Sequence, residues 1–219
     1  MTQPEFIPFH VGLLADGIRR WSKAHNVTLT DAYDETVGLV ATIISFLFDQ
    51  GVTVISAYLL SKDNLQRRST ELDAVYSVAP RFFDELMLDV ATRYAAKVLH
   101  IGDPALIPAH VRDPLQQLCH LTATNTRRKI YLLVAYHPID ELMDAISKSA
   151  EGFQNHLWVT EPVDLIIRTG DVYRLSNFLP LQSAYAELCF LSKMWNDVTE
   201  VDIASALFVY RARERRFGR

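Results

Sequence analysis

One alternation constrains what this chain can fold into. Short runs rich in Val, Ile and Leu recur along it at 10–14, 53–60, 97–101, 130–135, 165–168 and 188–191, with longer segments of helical spacing between them. The runs are mostly apolar on both faces, so as strands they must be covered on both sides. A parallel sheet between layers of helices meets that condition. In segment 31–50, Val37, Val40, Ile43, Ile44 and Phe48 form one stripe, and Gly51 follows as a natural helix stop. Segment 70–95 is long and apolar-rich, and Pro80 inside it predicts a kink or a split. Segments 114–124, 140–153 and 200–215 read as further helices. The pattern predicts an open α/β fold, a mainly parallel six-stranded sheet with surrounding helices and right-handed crossovers. No repeat, low-complexity tract or linker divides the 219 residues, so 1–219 reads as a single domain.

Charge and cysteine usage exclude several classes. Twenty-two basic against 26 acidic residues, a net charge of -4, argues against general nucleic-acid affinity. No run of 18 apolar residues predicts a membrane span, and no basic-then-apolar start predicts a secretory leader. Cys119 and Cys189 have no metal-ligand spacing and read as buried free thiols, which suits a cytoplasmic location. Charge is nonetheless uneven. The last nine residues, RARERRFGR, hold five arginines and one glutamate, which suits either an anion site or a solvated helix end.

Open parallel sheets bind ligands beyond the carboxyl ends of their strands, so residues just after the apolar runs come first. Residues 13–21 read LLADGIRRW. Gly17 permits a tight turn, the amides of a following helix favour an anion, and Arg19 and Arg20 can grip phosphate oxygens. Asp16 can hold Mg²⁺, which takes one or two carboxylates plus substrate phosphates. The plainer reading is an Asp-Gly turn followed by surface arginines. Residues 164–178 read DLIIRTGDVYRLSNF. Here Arg168, Arg174 and Ser176 can converge on a second diphosphate, or the arginines can pair with local acids such as Asp171.

Taken together the segments resemble the cis-prenyltransferases, which join isoprenoid diphosphates. The first is similar to their strand-D-G-N-x-R-W loop and the second to their D-L-x-I-R-T-x-x-x-x-R-x-S-N-F signature. Tyr58, Ser61, Asn64 and Arg67 match Y-x-F-S-x-E-N-W-x-R. Further matches are IGD at 101–103, QSAYAEL at 182–188 and RERRFG at 213–218. The resemblance implies a hydrophobic tunnel beside the sheet, a homodimer, prenyl diphosphate substrates and Mg²⁺. It assigns Asp16, Arg20, Ser61 and Asn64 to catalysis. It assigns Gly17, Ile18, Arg19, Trp21, Tyr33, Arg67, Arg168, Arg174, Ser176, Arg216 and Gly218 to substrate binding. Asp16 and Glu187 are the implied metal carboxylates.

The departures point the same way. Ile18 stands where the family has an asparagine thought to help remove the final proton, and isoleucine can neither accept nor relay one. Arg19 replaces a usual glycine, Val172 a glutamate, and Asp63 and Leu65 the Glu and Trp of E-N-W. Tyr33 and Leu29 stand near the positions of a His and an Arg. DGIRRWS followed by VTLTDAY is similar to the atypical lavandulyl- and cyclolavandulyl-type diphosphate synthases. That likeness implies head-to-middle coupling of allylic diphosphates, dimethylallyl with dimethylallyl or geranyl diphosphate. The alternatives are a regular head-to-tail synthase using isopentenyl diphosphate and a non-catalytic subunit of a heteromeric enzyme. Phe82, Phe83, Leu86 and Met87 would close the tunnel floor, or simply pack the core. Among the histidines, His137 is the pocket candidate.

Overall fold

The structure, a computed structural model, describes residues 7–213. Six strands make one sheet: β1 (His10–Leu14), β2 (Val54–Ser61), β3 (Ala96–Ile101), β4 (Arg128–Tyr136), β5 (Leu165–Arg168) and β6 (Glu187–Phe190). Their order is β3-β4-β2-β1-β5-β6, and every pairing is parallel. The expected six-stranded parallel α/β fold is therefore the observed one.

Alternation along each strand explains the two-sided burial. Val11 and Leu13 of β1, Ile55 and Ala57 of β2, and Ile167 of β5 enter one core. Leu14, Val54, Leu133 and Ile166 enter the other, closed by Val159, Val163 and Phe178. The first core is roofed by α2 (Leu29–Asp49), whose buried stripe includes Val37, Val40, Ile43, Ile44 and Phe48. Thr28 caps that helix through the Asp31 amide, which places its start two residues before the expected one.

Segment 70–95 behaves differently from a simple split. Helix α3 (Ser69–Arg81) runs through Pro80, then widens into a π-helical stretch over Phe82–Met87, and α4 (Leu88–Tyr94) follows. A π turn accommodates a break in the i to i-4 ladder without ending the helix, and such turns concentrate at functional sites. Pro114, expected near a helix start, lies inside α5 (Ala109–Leu121). Pro138 instead opens α6 (Pro138–Lys148), and Thr199 and Asp202 box the start of α7 (Glu200–Arg211). Residues 214 and 215, included in the expected last helix, lie outside the described residues.

Candidate active site

Leaving β1 the chain runs to one side of the sheet, into β2, whereas β5 pairs on the other side. The switch point therefore falls between β1 and β5, where an open parallel sheet leaves a crevice at its carboxyl edge. Leu14 ends β1 opposite Arg168, the last residue of β5. Asp16 and Arg168 so face each other across the crevice. Arg168 Nη2 donates to Asp16 Oδ2 at 2.7 Å. The two segments read as separate sites form one wall.

Three consecutive residues, the last of β5 and the two after it, hold Asp16. Arg168 takes its carboxylate. The Thr169 hydroxyl accepts from the Asp16 amide at 2.9 Å and donates to the Asp16 carbonyl at 2.8 Å. Gly170, at φ +85°, lies so close that a Cβ there would meet Arg20 Nη2 at 2.7 Å and the Asp16 carbonyl carbon at 3.0 Å. In the loop after β1, Gly17, at φ +101°, is the N-cap of α1 (Ile18–His25) and donates to Asp16 Oδ1 at 2.6 Å. Arg168 is only 5% exposed. Its Nη1 donates to Ser176 Oγ at 2.9 Å and to the Arg174 carbonyl. Its Nε is buried without a partner among the described residues.

Asp16, Gly17, Arg20, Arg168, Arg174 and Ser176 line a cavity of about 860 Å³. Of the residues assigned to chemistry, Asp16, Gly17, Ile18, Arg19, Arg20, Tyr33, Ser61, Asn64, Arg67, Arg168, Arg174 and Ser176 all border it. Ser61 and Asn64 form a reciprocal turn at the end of β2. The Asn64 amide donates to Ser61 Oγ at 3.0 Å, and the Ser61 amide donates to Asn64 Oδ1 at 3.3 Å. Burial raises the Tyr33 hydroxyl pKa, against the pull of the nearby Arg67, whose Nη1 stands 3.5 Å away. Arg19 and Arg20 are already engaged. Arg19 donates to Glu71 at 2.9 Å and Arg20 to the Gly170 carbonyl at 2.6 Å.

The cavity also borders residues the sequence reading left unassigned: Lys23, Arg68, Glu71, Val172 and Leu29. Lys23 follows Arg19 and Arg20 on the same helix, a spacing signal present in the sequence. Arg68 and Glu71 lay in an unremarkable polar stretch and carried no signal. Seven cationic side chains (Arg19, Arg20, Lys23, Arg67, Arg68, Arg168, Arg174) against two acidic ones (Asp16, Glu71) leave a surplus of five positive charges in a chain whose net charge is -4. Such a concentration in a concave site focuses potential on anions.

Three assigned residues are placed elsewhere. Trp21 is buried, donates to Asp197 at 2.8 Å and stacks on His25 at 4.3 Å, so it locks α1 to the short 3-10 turn Trp195–Asp197 instead of lining the cavity. Glu187 begins β6 opposite Leu165, three residues back from the Arg168 edge, about 10 Å at strand rise, and its neighbour is Arg213 at 3.9 Å. Within this chain it is not brought to Asp16. His137 caps α6 through the Ile139 amide and does not border the cavity. Arg216 and Gly218 lie outside the described residues.

The metal has to be judged on the donors present. Among the described residues no cluster of three His, Cys, Asp or Glu side chains could cage an ion. Of the two carboxylates that border the cavity, Asp16 stands between the two arginine loops, whereas Glu71 is held by Arg19 and Arg68. That donor set fits Mg²⁺, which keeps waters and completes its shell with phosphate oxygens.

Behind the anion cavity lies an apolar chamber of about 80 Å³. The two share Ala15, Ile18, Tyr33, Tyr58 and Leu59, so Ile18 stands at their junction. Phe82 and Phe83, with rings 5.3 Å apart, form part of the chamber wall at the start of the π-helical stretch. Leu86 and Met87, expected there too, pack in and against the core instead.

A parallel α/β fold with a cationic cavity at its switch point, opening into an apolar chamber, defines a protein built for molecules with an anionic head and an apolar tail. The profile of the Prenyltransf family, described as "Putative undecaprenyl diphosphate synthase", matches residues 14–218, and the chain belongs to that family. It is a prenyltransferase. It is 30% identical, over 96% of its length and 88% of the relative's, to the tritrans,polycis-undecaprenyl-diphosphate synthase (geranylgeranyl-diphosphate specific) of Sulfurisphaera tokodaii. It is likewise 30% identical to the isoprenyl transferase of Rickettsia sibirica, over 96% of this chain and 97% of the relative. Its fold matches the crystal structure of lavandulyl diphosphate synthase from Lavandula x intermedia in complex with dimethylallyl diphosphate. The TM-score there is 0.91, at 27% identity, covering 97% of this chain and 99% of the other.

Proposed function

We propose that the chain couples two allylic diphosphates head to middle, dimethylallyl with dimethylallyl or geranyl diphosphate, to a lavandulyl-type product. The observation that carries this reading is Ile18 at the junction of the anion cavity and the apolar chamber. The reacting carbons would lie there, between diphosphates on one side and tails on the other. An aliphatic side chain at that point offers no base to end a regular condensation. The structural likeness to a lavandulyl diphosphate synthase adds support.

In this reading Arg19, Arg20 and the α1 amides hold the donor diphosphate, and Arg168, Arg174 and Ser176 hold the acceptor's. Asp16 lies between them. The donor C1–O bond breaks with its electron pair leaving on the diphosphate. The acceptor double bond attacks C1, forming a carbon–carbon bond and a tertiary cation. That cation loses a proton to an oxygen of the departed diphosphate. Arginines aimed at the developing negative charge lower the barrier to ionisation, and two tethered diphosphates fix the reacting carbons together. Mg²⁺ held by Asp16 would supply further charge stabilisation at the leaving group. Ile18, Leu59 and the chamber aromatics would keep water from the cation.

Mass spectrometry and NMR of products from dimethylallyl and geranyl diphosphates, without isopentenyl diphosphate, test the reading. A branched product is expected, and no product under those conditions sinks it. The second reading is regular head-to-tail coupling with isopentenyl diphosphate, favoured by the names of the sequence relatives. A requirement for isopentenyl diphosphate would establish it. Retention of Asp16, Arg168, Arg174 and Ser176 in one wall speaks against a non-catalytic subunit. A homodimer, with Glu187, Arg216 and Gly218 serving a partner's site, belongs to the same proposal. Exposed Tyr173, Tyr185 and Leu188 around edge strand β6 suit such an interface, and sedimentation would read it.

A further inference from the structure

Glu71 is the one acid of the cavity that stands apart from Asp16, and three arginine N–H groups converge on it. Arg19 Nη1 donates to Oε2 at 2.9 Å; Arg68 Nη2 and Nε donate to Oε1 at 2.7 and 3.1 Å. The carboxylate side chain is 10% exposed, whereas Arg19 and Arg68 are 52% and 81% exposed. The acid therefore lies at the bottom and the cations at the rim. Arg19 belongs to α1, next to Ile18, and Glu71 to the first turn of α3, so the pair spans the cavity wall between two elements. Hydrogen bonds from Arg68, then Arg19, hold the Glu71 carboxyl below the usual carboxylate range, so it is anionic at neutral pH.

A lining selected only to bind anions would not aim a carboxylate at two of its seven cations. We propose that Glu71 is a resident counter-anion that competes with the diphosphate for Arg19 and Arg68, weakening its ground-state binding and speeding release of the product diphosphate. This rests on the reading of the cavity as a diphosphate site. A diphosphate offers more charge and paired oxygens to a guanidinium fork than one carboxylate does, so it wins Arg19, though by a reduced margin. On release, Glu71 takes the guanidinium back, and the arginine need not pass through an unpaired state. Binding a ground state more weakly than a transition state favours turnover.

The rival role is a strut that holds the arginines in place for the anion. The two roles predict opposite signs. Calorimetry with inorganic pyrophosphate on the full chain separates them. Glu71→Gln should bind pyrophosphate about tenfold more tightly, the size of one charge-assisted contact no longer contested. Arg19→Met should bind more weakly, and the gain from Glu71→Gln should shrink in the double variant. In turnover assays Glu71→Gln should show stronger inhibition by added pyrophosphate and lower kcat, with the single-turnover rate kept. Unchanged or weaker pyrophosphate binding by Glu71→Gln overturns the proposal while leaving the site reading intact. No pyrophosphate binding by the unaltered chain sinks the site reading and this proposal with it. Should Glu71→Gln not fold, Glu71→Asp draws the carboxylate back by one methylene. It too must tighten binding, and failure to do so overturns the proposal.

Discussion

The two arginine-bearing loops of this chain are built in different ways. The late loop is fixed. Arg168 is buried and bonded to Asp16, Ser176 and the Arg174 carbonyl, and Asp171, Ser176, Asn177 and Leu179 all sit at positive φ. Non-glycine residues there cost about 1–3 kcal/mol each and persist only where surrounding structure over-determines them. The early loop is adjustable. Arg19 and Arg20 are half exposed, and each rests on a partner from a different element. Asp16 is early by sequence and late by bonding, since Arg168 and Thr169 hold it. A preorganised wall can fix one diphosphate while movable arginines follow the charge that develops on the other.

That contrast breaks first at Asp16. Asp16→Ala should lower kcat at least about a hundredfold, the scale of losing a preorganised charge-stabilising group. It should also lower thermal stability, because Arg168 is left buried and unpaired. Steady-state kinetics with a melting curve checks both; near-normal turnover would remove Asp16 from the chemistry. Next in size is Gly170→Ala. Its Cβ would press on the Asp16 backbone in a conformation L-residues avoid, costing about 1–3 kcal/mol, with Tm falling roughly 2–4 °C per kcal/mol. An unchanged Tm would show that the late loop is not rigid.

Much of this was legible in the residues. Apolar runs located all six strands to within a few positions, because burial on both faces leaves few polar interruptions in the inner strands, and edge strand β6, with Leu188 exposed, still carries a short apolar run. β4 outran its apolar run since Arg128 and Lys129 still pair across the edge with Ala96 and Lys97. What hid was whatever depends on contact between distant segments. Arg168 and Asp16 are 152 residues apart in sequence, so two motifs read as two sites where the fold makes one wall. Trp21 reads as a pocket residue only through its match to the tryptophan of the D-G-N-x-R-W loop. On α1 it points inward, to Asp197, while Arg19, Arg20 and Lys23 border the cavity. Glu71 gave no functional sign, since Arg68 three residues before it reads as an ordinary helix-start ion pair and its other partner, Arg19, is 52 residues away.

A smaller effect sharpens the division of labour. Arg174 makes no ion pair among the described residues and borders the cavity, so its guanidinium is available to the acceptor. Arg174→Ala should raise KM for the acceptor about tenfold, one charge-assisted contact, with kcat little changed. Arg20→Ala, on the early loop, should act mainly on kcat. Varying donor and acceptor concentrations independently separates the two, and the same split from both variants would dissolve the distinction between the loops.

The smallest effect tests how the late loop is held. Tyr58 on β2 donates its hydroxyl to the Ser176 carbonyl at 3.2 Å, and its ring lies 5.6 Å from Phe178. Burial pushes the Tyr58 pKa up to about 12, so the hydroxyl stays a donor through the neutral range. Tyr58→Phe keeps the ring packing and removes one neutral hydrogen bond, about 1 kcal/mol. If that bond sets the pose of Ser176, KM for the acceptor should rise about fivefold while KM for the donor stays put. Because Tyr58 does not titrate near neutrality, the ratio of variant to unaltered KM should be flat between pH 6 and 9. A ratio that changes with pH would mean the hydroxyl acts through its proton, in the chemistry, instead of through the carbonyl it holds.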